Sequence, residues 1–222
     1  IGDSTRPALY ESQQIELRKQ TAALLDGGSK ASDFVRYVLE KVCGFGGAEG
    51  SWLRGTDVGA EWGRRLATGD TAKPRLLWQG HKGAILPVFL EDKTRAGQGR
   101  RAASQVVQWL RAGNERLALL TSGVQWRLIY AGLDADAWCE WDVGLWLEEG
   151  TLSRQVDALR TLVQPTLWTP AETGTPSPLL QAILDSRKGQ AELSAVLGDR
   201  VREAVETLIQ AHGDALREHC AD

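Results

Sequence analysis

The stretch 84-AILPVFLEDK-93 ends an apolar run on two acids and a lysine, and it decides how the rest of the chain is interpreted. Residues 75–78, RLLW, form a second short run that is apolar after Arg75, and the turn-prone residues 80–83, GHKG, separate the two. Two such runs joined by a glycine-containing turn predict a β-hairpin made of 75–78 and 84–91. Pro87 weakens the indication of the second strand.

The segments that follow this hairpin predict a helix and further strands. Residues 102–112 carry Val106, Trp109 and Leu110 on one helical face. Residues 117–120 are wholly apolar, 125–130 alternate, and 137–143 are consistent with an edge strand. The resulting order of strand, strand, helix, strand, strand predicts an α/β domain with a mixed sheet flanked by helices.

Helical patterns stand at both ends of the chain. Two helices are predicted before the hairpin and another at 153–162, and the glycine-rich residues 45–65 are expected to be irregular. Residues 164–178 hold four of the seven prolines, which is typical of a linker. We therefore expect an α/β domain at 1–163, a Pro/Thr-rich linker at 164–178 and a helical appendage or spacer at 179–222.

Composition narrows the class of protein. The 222 residues carry a net charge of −3, which argues against a protein that coats nucleic acid through bulk positive charge. No apolar run approaches the roughly 18 residues of a membrane span. The three cysteines are scattered and form no CxxC pair, so we expect a cytoplasmic protein without a disulfide framework or zinc site. The absence of methionine and of a signal peptide leads us to expect a piece of a larger protein.

The triplet after the strand carries the chemical hypothesis. Alternation along a strand places Glu91 and Lys93 on the same face. A carboxylate that binds Mg²⁺ beside a lysine that orients or deprotonates water suits metal-dependent phosphodiester hydrolysis. Gln105 and Trp109 follow at i and i+4 on the predicted helix. The competing interpretation is a solvated strand end next to a half-buried aromatic residue.

This order of motifs resembles the PD-(D/E)xK nuclease family, in which an ExK strand precedes a helix with a QxxxY-like motif. Gln105 and Trp109 stand where that glutamine and aromatic residue would be, and 117-LALLTSGVQWRLIY-130 looks like the strand, turn and strand that follow. The resemblance covers residues 33–143. It extends to the N-terminal domains of type I and type IIG restriction enzymes and of large methylase polypeptides in DISARM-like and BREX-like phage defence.

The resemblance implies a restriction-endonuclease-like sheet that acts on duplex DNA in restriction-modification or phage defence, with a methyltransferase module in the same or an associated chain. It implies Mg²⁺ held by Glu91 and Asp70, with Lys93 assisting the water and Gln105 orienting the site. The family's first acid is missing, because no Asp or Glu occurs between Thr71 and Leu90. Besides Asp70, the acids that could replace this missing carboxylate are Asp57 and Glu61. Glu40 matches a helix glutamate that some members of the family use.

Three functions therefore stay open: an Mg²⁺-dependent endodeoxyribonuclease, a catalytically silent domain that binds DNA or docks to a methyltransferase, and an adaptor without a nucleic-acid role. Arginines on a glycine-containing loop can meet phosphates through bidentate hydrogen bonds. We expect two groups of DNA-binding residues, one made of Arg95, Arg100 and Arg101, the other of Arg64 and Arg65 with Lys73 and Arg75 beside them.

Overall fold

A six-stranded mixed sheet is the centre of the molecule, which a computed structural model describes over residues 9–91, 100–148 and 151–219. The strands are β1 (Gly50–Arg54), β2 (Arg64–Arg65), β3 (Thr71–Ala72), β4 (Leu76–Gly80), β5 (Ile85–Leu90), β6 (Leu117–Thr121), β7 (Gln125–Ala131) and β8 (Asp136–Asp142). Strands β2 and β3 pair separately, and the large sheet has the order β1-β4-β5-β6-β7-β8. Its neighbours are antiparallel except β5 and β6, which are parallel.

Helices precede, interrupt and follow the strands. They are α1 (Glu11–Leu25), α2 (Ala31–Tyr37), α3 (Arg100–Arg111), α4 (Thr151–Leu162), α5 (Pro165–Trp168) and α6 (Pro178–His219). A π-helical turn, Val38–Val42, continues α2. The guanidinium of Arg160 on α4 donates a hydrogen bond to the carbonyl of Val42 at 3.2 Å, so α4 contacts the end of that turn.

The predicted hairpin is confirmed. Strands β4 and β5 pair antiparallel with Gln79 opposite Ile85, and Pro87 lies opposite Leu77. Helix α3 then carries the chain back so that β6 lies parallel to β5, with Phe89 opposite Leu120. A parallel neighbour requires such a crossover, which is why one helix between two apolar runs produces a mixed sheet.

One face of the sheet packs against α3. Phe89, Leu120 and Ile129 are buried there with Val106 and Trp109 of the helix. The alternate residues along the same strands point to the other face, and they are buried as well, as shown by Val88, Leu119 and Leu128. Both faces are therefore covered, as expected for a mixed α/β sheet flanked by helices. Kinship with the restriction-endonuclease fold in particular stays a prediction.

Two features differ from the local sequence pattern. Strand β1 lies in the segment expected to be irregular. Its own sequence does not predict a strand, and its hydrogen bonds come from pairing with β4. The helical patterns at 179–184, 191–197 and 201–216 join into α6, because no proline interrupts them after Pro178 and a helix tolerates Gly189 and Gly198 at roughly 1 kcal/mol each.

The chain divides after Leu180 into two compact units. Residues 164–178, expected to be a linker, lie in the first unit, where Gln164, Leu167, Trp168 and Pro170 are buried. The second unit is described as one helix. Among the residues that the structure describes, no helix combines the length and the apolar composition needed to cross a bilayer.

Candidate functional site

The carboxyl ends of the parallel strands β5 and β6 border a cavity of about 480 Å³. Glu91 is half-buried directly after β5, and its backbone N–H donates to the carbonyl of Thr121 at 3.0 Å. Ligands of α/β proteins commonly bind beyond the carboxyl ends of parallel strands. The described residues that line this cavity are Lys30, Ala31, Ser32, Arg75, Leu90, Glu91, Thr121 and Ser122.

A tight turn after β6 forms one wall of the cavity. The hydroxyl of Thr121 donates to the carbonyl of Gln125 at 2.7 Å and accepts from the N–H of Gly123 at 2.9 Å. Gly123 has φ +88°, and a Cβ at this position would lie 3.0 Å from the Cβ of Ala31. The turn therefore needs glycine both for its backbone conformation and for its approach to the start of α2. This contact holds Lys30 and Ser32 beside the strand ends.

Arg75 is held at the cavity by the start of β4. Its backbone N–H donates to the carbonyl of Val88 at 2.8 Å, and its carbonyl accepts from the N–H of Gly55 at 2.9 Å. The side chains of Arg75 and Lys30 are exposed at the cavity. The nuclease resemblance expects a carboxylate on this preceding strand, and an arginine lines the cavity instead.

The charges of the cavity do not match a magnesium site. Glu91 is the one acidic residue among the described residues that line it, and Lys30 and Arg75 contribute two cations. Mg²⁺ is usually held by one or two carboxylates together with substrate phosphates and waters, and neighbouring cations oppose its binding. No group of three His, Cys, Asp or Glu side chains suited to a metal occurs within the described ranges. The cations and the hydroxyls of Ser32 and Ser122 suit an anion with several acceptor oxygens.

The substitute acids lie elsewhere. Asp70 is exposed in the turn between β2 and β3, where it accepts a hydrogen bond from the hydroxyl of Thr68 at 3.3 Å, and it does not line the cavity beside Glu91. Glu40, on the π-helical turn, accepts from the guanidinium of Arg54 at 2.5 Å. The structure therefore does not bring Asp70 or Glu40 to the cavity as a second carboxylate.

The side chain of Arg64 makes its contacts within the protein. Its guanidinium lies 3.7 Å from the ring centroid of Trp109, donates to the Trp109 carbonyl at 2.9 Å and forms an ion pair with Glu115. Trp109 is fully buried, and its indole N–H donates to the carbonyl of Trp62 at 2.9 Å. These contacts give Arg64 and Trp109 a role in packing α3 against the β2–β3 hairpin.

The other predicted site residues are half-buried or exposed, or they lie outside the part of the chain that the structure describes. Gln105 is half-buried on α3, and Arg65 and Arg101 are exposed on β2 and α3. Lys93 and Arg95 lie outside the described residues. The backbone of Arg100 begins α3, but its side chain is not described. The proposed roles of these residues stay predictions.

Sequence analysis missed Lys30 and Ser122 at the cavity. Lys30 precedes a helix of ordinary composition, and the close approach of Gly123 to Ala31 places it near the end of β5. The sequence feature that could have indicated Ser122 is the Thr-Ser-Gly turn after an apolar strand. This feature predicts a turn, but it does not predict which residues pack beside that turn.

A comparison of the chain with protein-family models, curated proteins and solved structures finds no match in any of the three.

Proposed function

We propose that this domain binds the phosphate backbone of duplex DNA at the cavity beside Glu91 and is a catalytically silent relative of the nuclease fold. The observation that carries the proposal is the described part of the cavity's lining, in which Lys30 and Arg75 accompany one carboxylate, Glu91. The position of Arg75 also supports it, because a cation at the start of β4 favours a phosphate over a metal ion there.

Local charge supports DNA binding despite the acidic total. Binding to DNA gains from each cation that neutralises a phosphate and releases its counterions, so a few well-placed cations suffice. Arg65 and Arg101 are exposed and lie on other elements of the same unit. Arg95 and Arg100 are predicted from the sequence to contact DNA as well. Together these four arginines extend the set of proposed phosphate contacts beyond the cavity.

The test is the salt dependence of binding to a fluorescein-labelled duplex, measured by fluorescence anisotropy. Each phosphate contact contributes about −0.9 to the slope of log K against log salt. The double variant Lys30→Ala/Arg75→Ala should therefore flatten the slope by about 1.8 relative to the unchanged chain. The matched control is Arg18→Ala/Lys19→Ala, which removes two exposed cations from α1. Equal slopes for both double variants would overturn the cavity as the DNA contact.

The endonuclease is the second candidate, and the placement of Glu91 favours it. This carboxylate stands at the end of a strand and at a cavity, as the ExK resemblance requires. The test incubates supercoiled plasmid with the chain and Mg²⁺ or Mn²⁺ and compares Glu91→Gln with the exposed control Glu49→Gln. Nicking that is lost only in Glu91→Gln would replace the silent domain by the enzyme. No nicking by any of the three proteins retains the silent domain.

The biological setting is a separate proposal that rests on the motif resemblance. We place the domain in restriction-modification or phage defence, alongside a methyltransferase module in the same or an associated chain. Co-expression with a DNA methyltransferase from the same genome should yield a complex that survives gel filtration. Separate elution of the two proteins would leave DNA binding as the domain's only proposed interaction.

A further inference from the structure

A second cavity, of about 450 Å³, lies at the opposite ends of β5 and β6. Three segments of the first unit surround it: the turn between β4 and β5, the connection from α3 to β6, and residues 168–177. Ile85 and Leu117, the first residues of β5 and β6, both line it. Among the described residues, none lines both this cavity and the cavity beside Glu91.

Arg116 lines this cavity and carries an unmet hydrogen-bond donor. Its Nη1 is buried and has no hydrogen-bond partner within the described part of the chain. The neighbouring carboxylate, Glu115, is paired with Arg64 and does not compensate Arg116. A buried guanidinium nitrogen without an acceptor is unfavourable, so an anionic ligand would complete this environment.

Lys82 adds a second cation in an unusual backbone conformation. Its φ of 56° and ψ of 27° lie in the left-handed region, which residues other than Gly, Asn and Asp seldom adopt. Its ammonium donates to the carbonyl of Ala171 at 2.5 Å, which ties the turn to the segment 168–177. An ammonium has three donors, so two are left for a ligand. A strained backbone that presents a charged side chain to a cavity is typical of binding sites.

The rest of the lining combines polar groups with an apolar wall. Asn114 and Thr173 are exposed at the cavity, and Trp168 and Pro170 are buried against it. We infer that this cavity binds a small phosphorylated ligand of about mononucleotide size, with its phosphate at Arg116 and Lys82 and its flat apolar part along Trp168 and Pro170. The volume falls within the roughly 300–1,000 Å³ of small-molecule sites. The inference does not depend on DNA binding at the other cavity.

Isothermal titration calorimetry with the whole chain tests this inference with three probes: AMP, inorganic phosphate and adenosine. AMP should bind more tightly than phosphate, because it also uses the apolar wall, and adenosine should bind most weakly. Arg116→Gln should weaken AMP binding at least tenfold, as expected for the loss of a charge-assisted hydrogen bond. Phosphate binding as tight as AMP binding would overturn the mononucleotide-sized ligand, and no heat with either anion at millimolar concentration would overturn the site.

A second variant separates binding from folding. Lys82→Asn keeps a residue that tolerates the left-handed conformation, so the midpoint of thermal unfolding should stay or rise while AMP binding falls several-fold. The matched control is Lys19→Gln, which removes an exposed charge from α1 and should bind AMP as the unchanged chain does. Undiminished AMP binding by Lys82→Asn, or the same loss in both variants, would overturn the role of Lys82.

Discussion

Replacing Arg64 with alanine should destabilise the protein, because this side chain supports the contact between α3 and the β2–β3 hairpin. The charged hydrogen bond to the Trp109 carbonyl contributes about 1.5 kcal/mol, and the cation–π contact contributes about 1 kcal/mol. Its ion pair with Glu115 joins side chains that are 15% and 17% exposed, and solvent screening leaves it about 0.5 kcal/mol. We therefore expect Arg64→Ala to lower the free energy of unfolding by about 3 kcal/mol.

The assay is urea unfolding followed by far-UV circular dichroism, with thermal unfolding as a second measurement. In a unit of this size, about 3 kcal/mol corresponds to a fall of roughly 6–12 °C in the unfolding midpoint. Arg65→Ala is the matched control, because the neighbouring side chain is exposed and the charge change is identical. The control should change the free energy of unfolding by less than about 0.5 kcal/mol.

A glycine next to this contact provides an independent check. A Cβ at Gly113 would overlap the guanidinium of Arg64, so Gly113→Ala should destabilise through the same contacts and add little in the double variant with Arg64→Ala. Equal urea midpoints for Arg64→Ala and Arg65→Ala would refute the structural role of Arg64. The same two variants, tested in DNA binding, would then reveal whether Arg64 serves a phosphate as the sequence suggested.

Three further predictions concern other parts of the first unit. Gly123→Ala should lower the free energy of unfolding by about 2 kcal/mol, because alanine is strained at φ +88°, whereas Gly47→Ala, which meets nothing within 4 Å, should be nearly neutral in the same urea assay. Glu140→Ala should cost about 3 kcal/mol, because it leaves the nearly buried Arg127 unpaired, and thermal unfolding should recover when Arg127 is also replaced by methionine. Burial raises the pKa of Cys139 to about 11, so the thiol should react slowly with iodoacetamide at pH 8 and faster as the pH rises to about 11. Peptide mass spectrometry measures the alkylation, and a half-maximal rate near pH 8.5 would contradict the raised pKa.

The sequence by itself determined the class of the fold. Apolar alternation and turn residues predicted β4, β5, α3, β6 and β7, because hydrophobic periodicity and turn chemistry are local properties of a chain. The same local rules missed β1, whose hydrogen bonds come from β4 and not from its own pattern. They also divided α6 into segments, because glycine within a helix has the same local signature as a helix end.

The sequence also placed Glu91 at the end of a strand, but the neighbours of Glu91 depended on the tertiary structure. Lys30 reaches the cavity through the contact between Gly123 and Ala31, and no local pattern records such a contact. Arg64 and Arg65 are neighbouring arginines that the sequence does not distinguish. In the folded chain they differ, because Arg64 contacts the ring and the carbonyl of Trp109, whereas Arg65 is exposed. Periodicity tells which face of an element is buried, whereas the partner of a charged side chain is set by packing between elements distant in sequence, and that packing exists only once the sheet and helices have assembled.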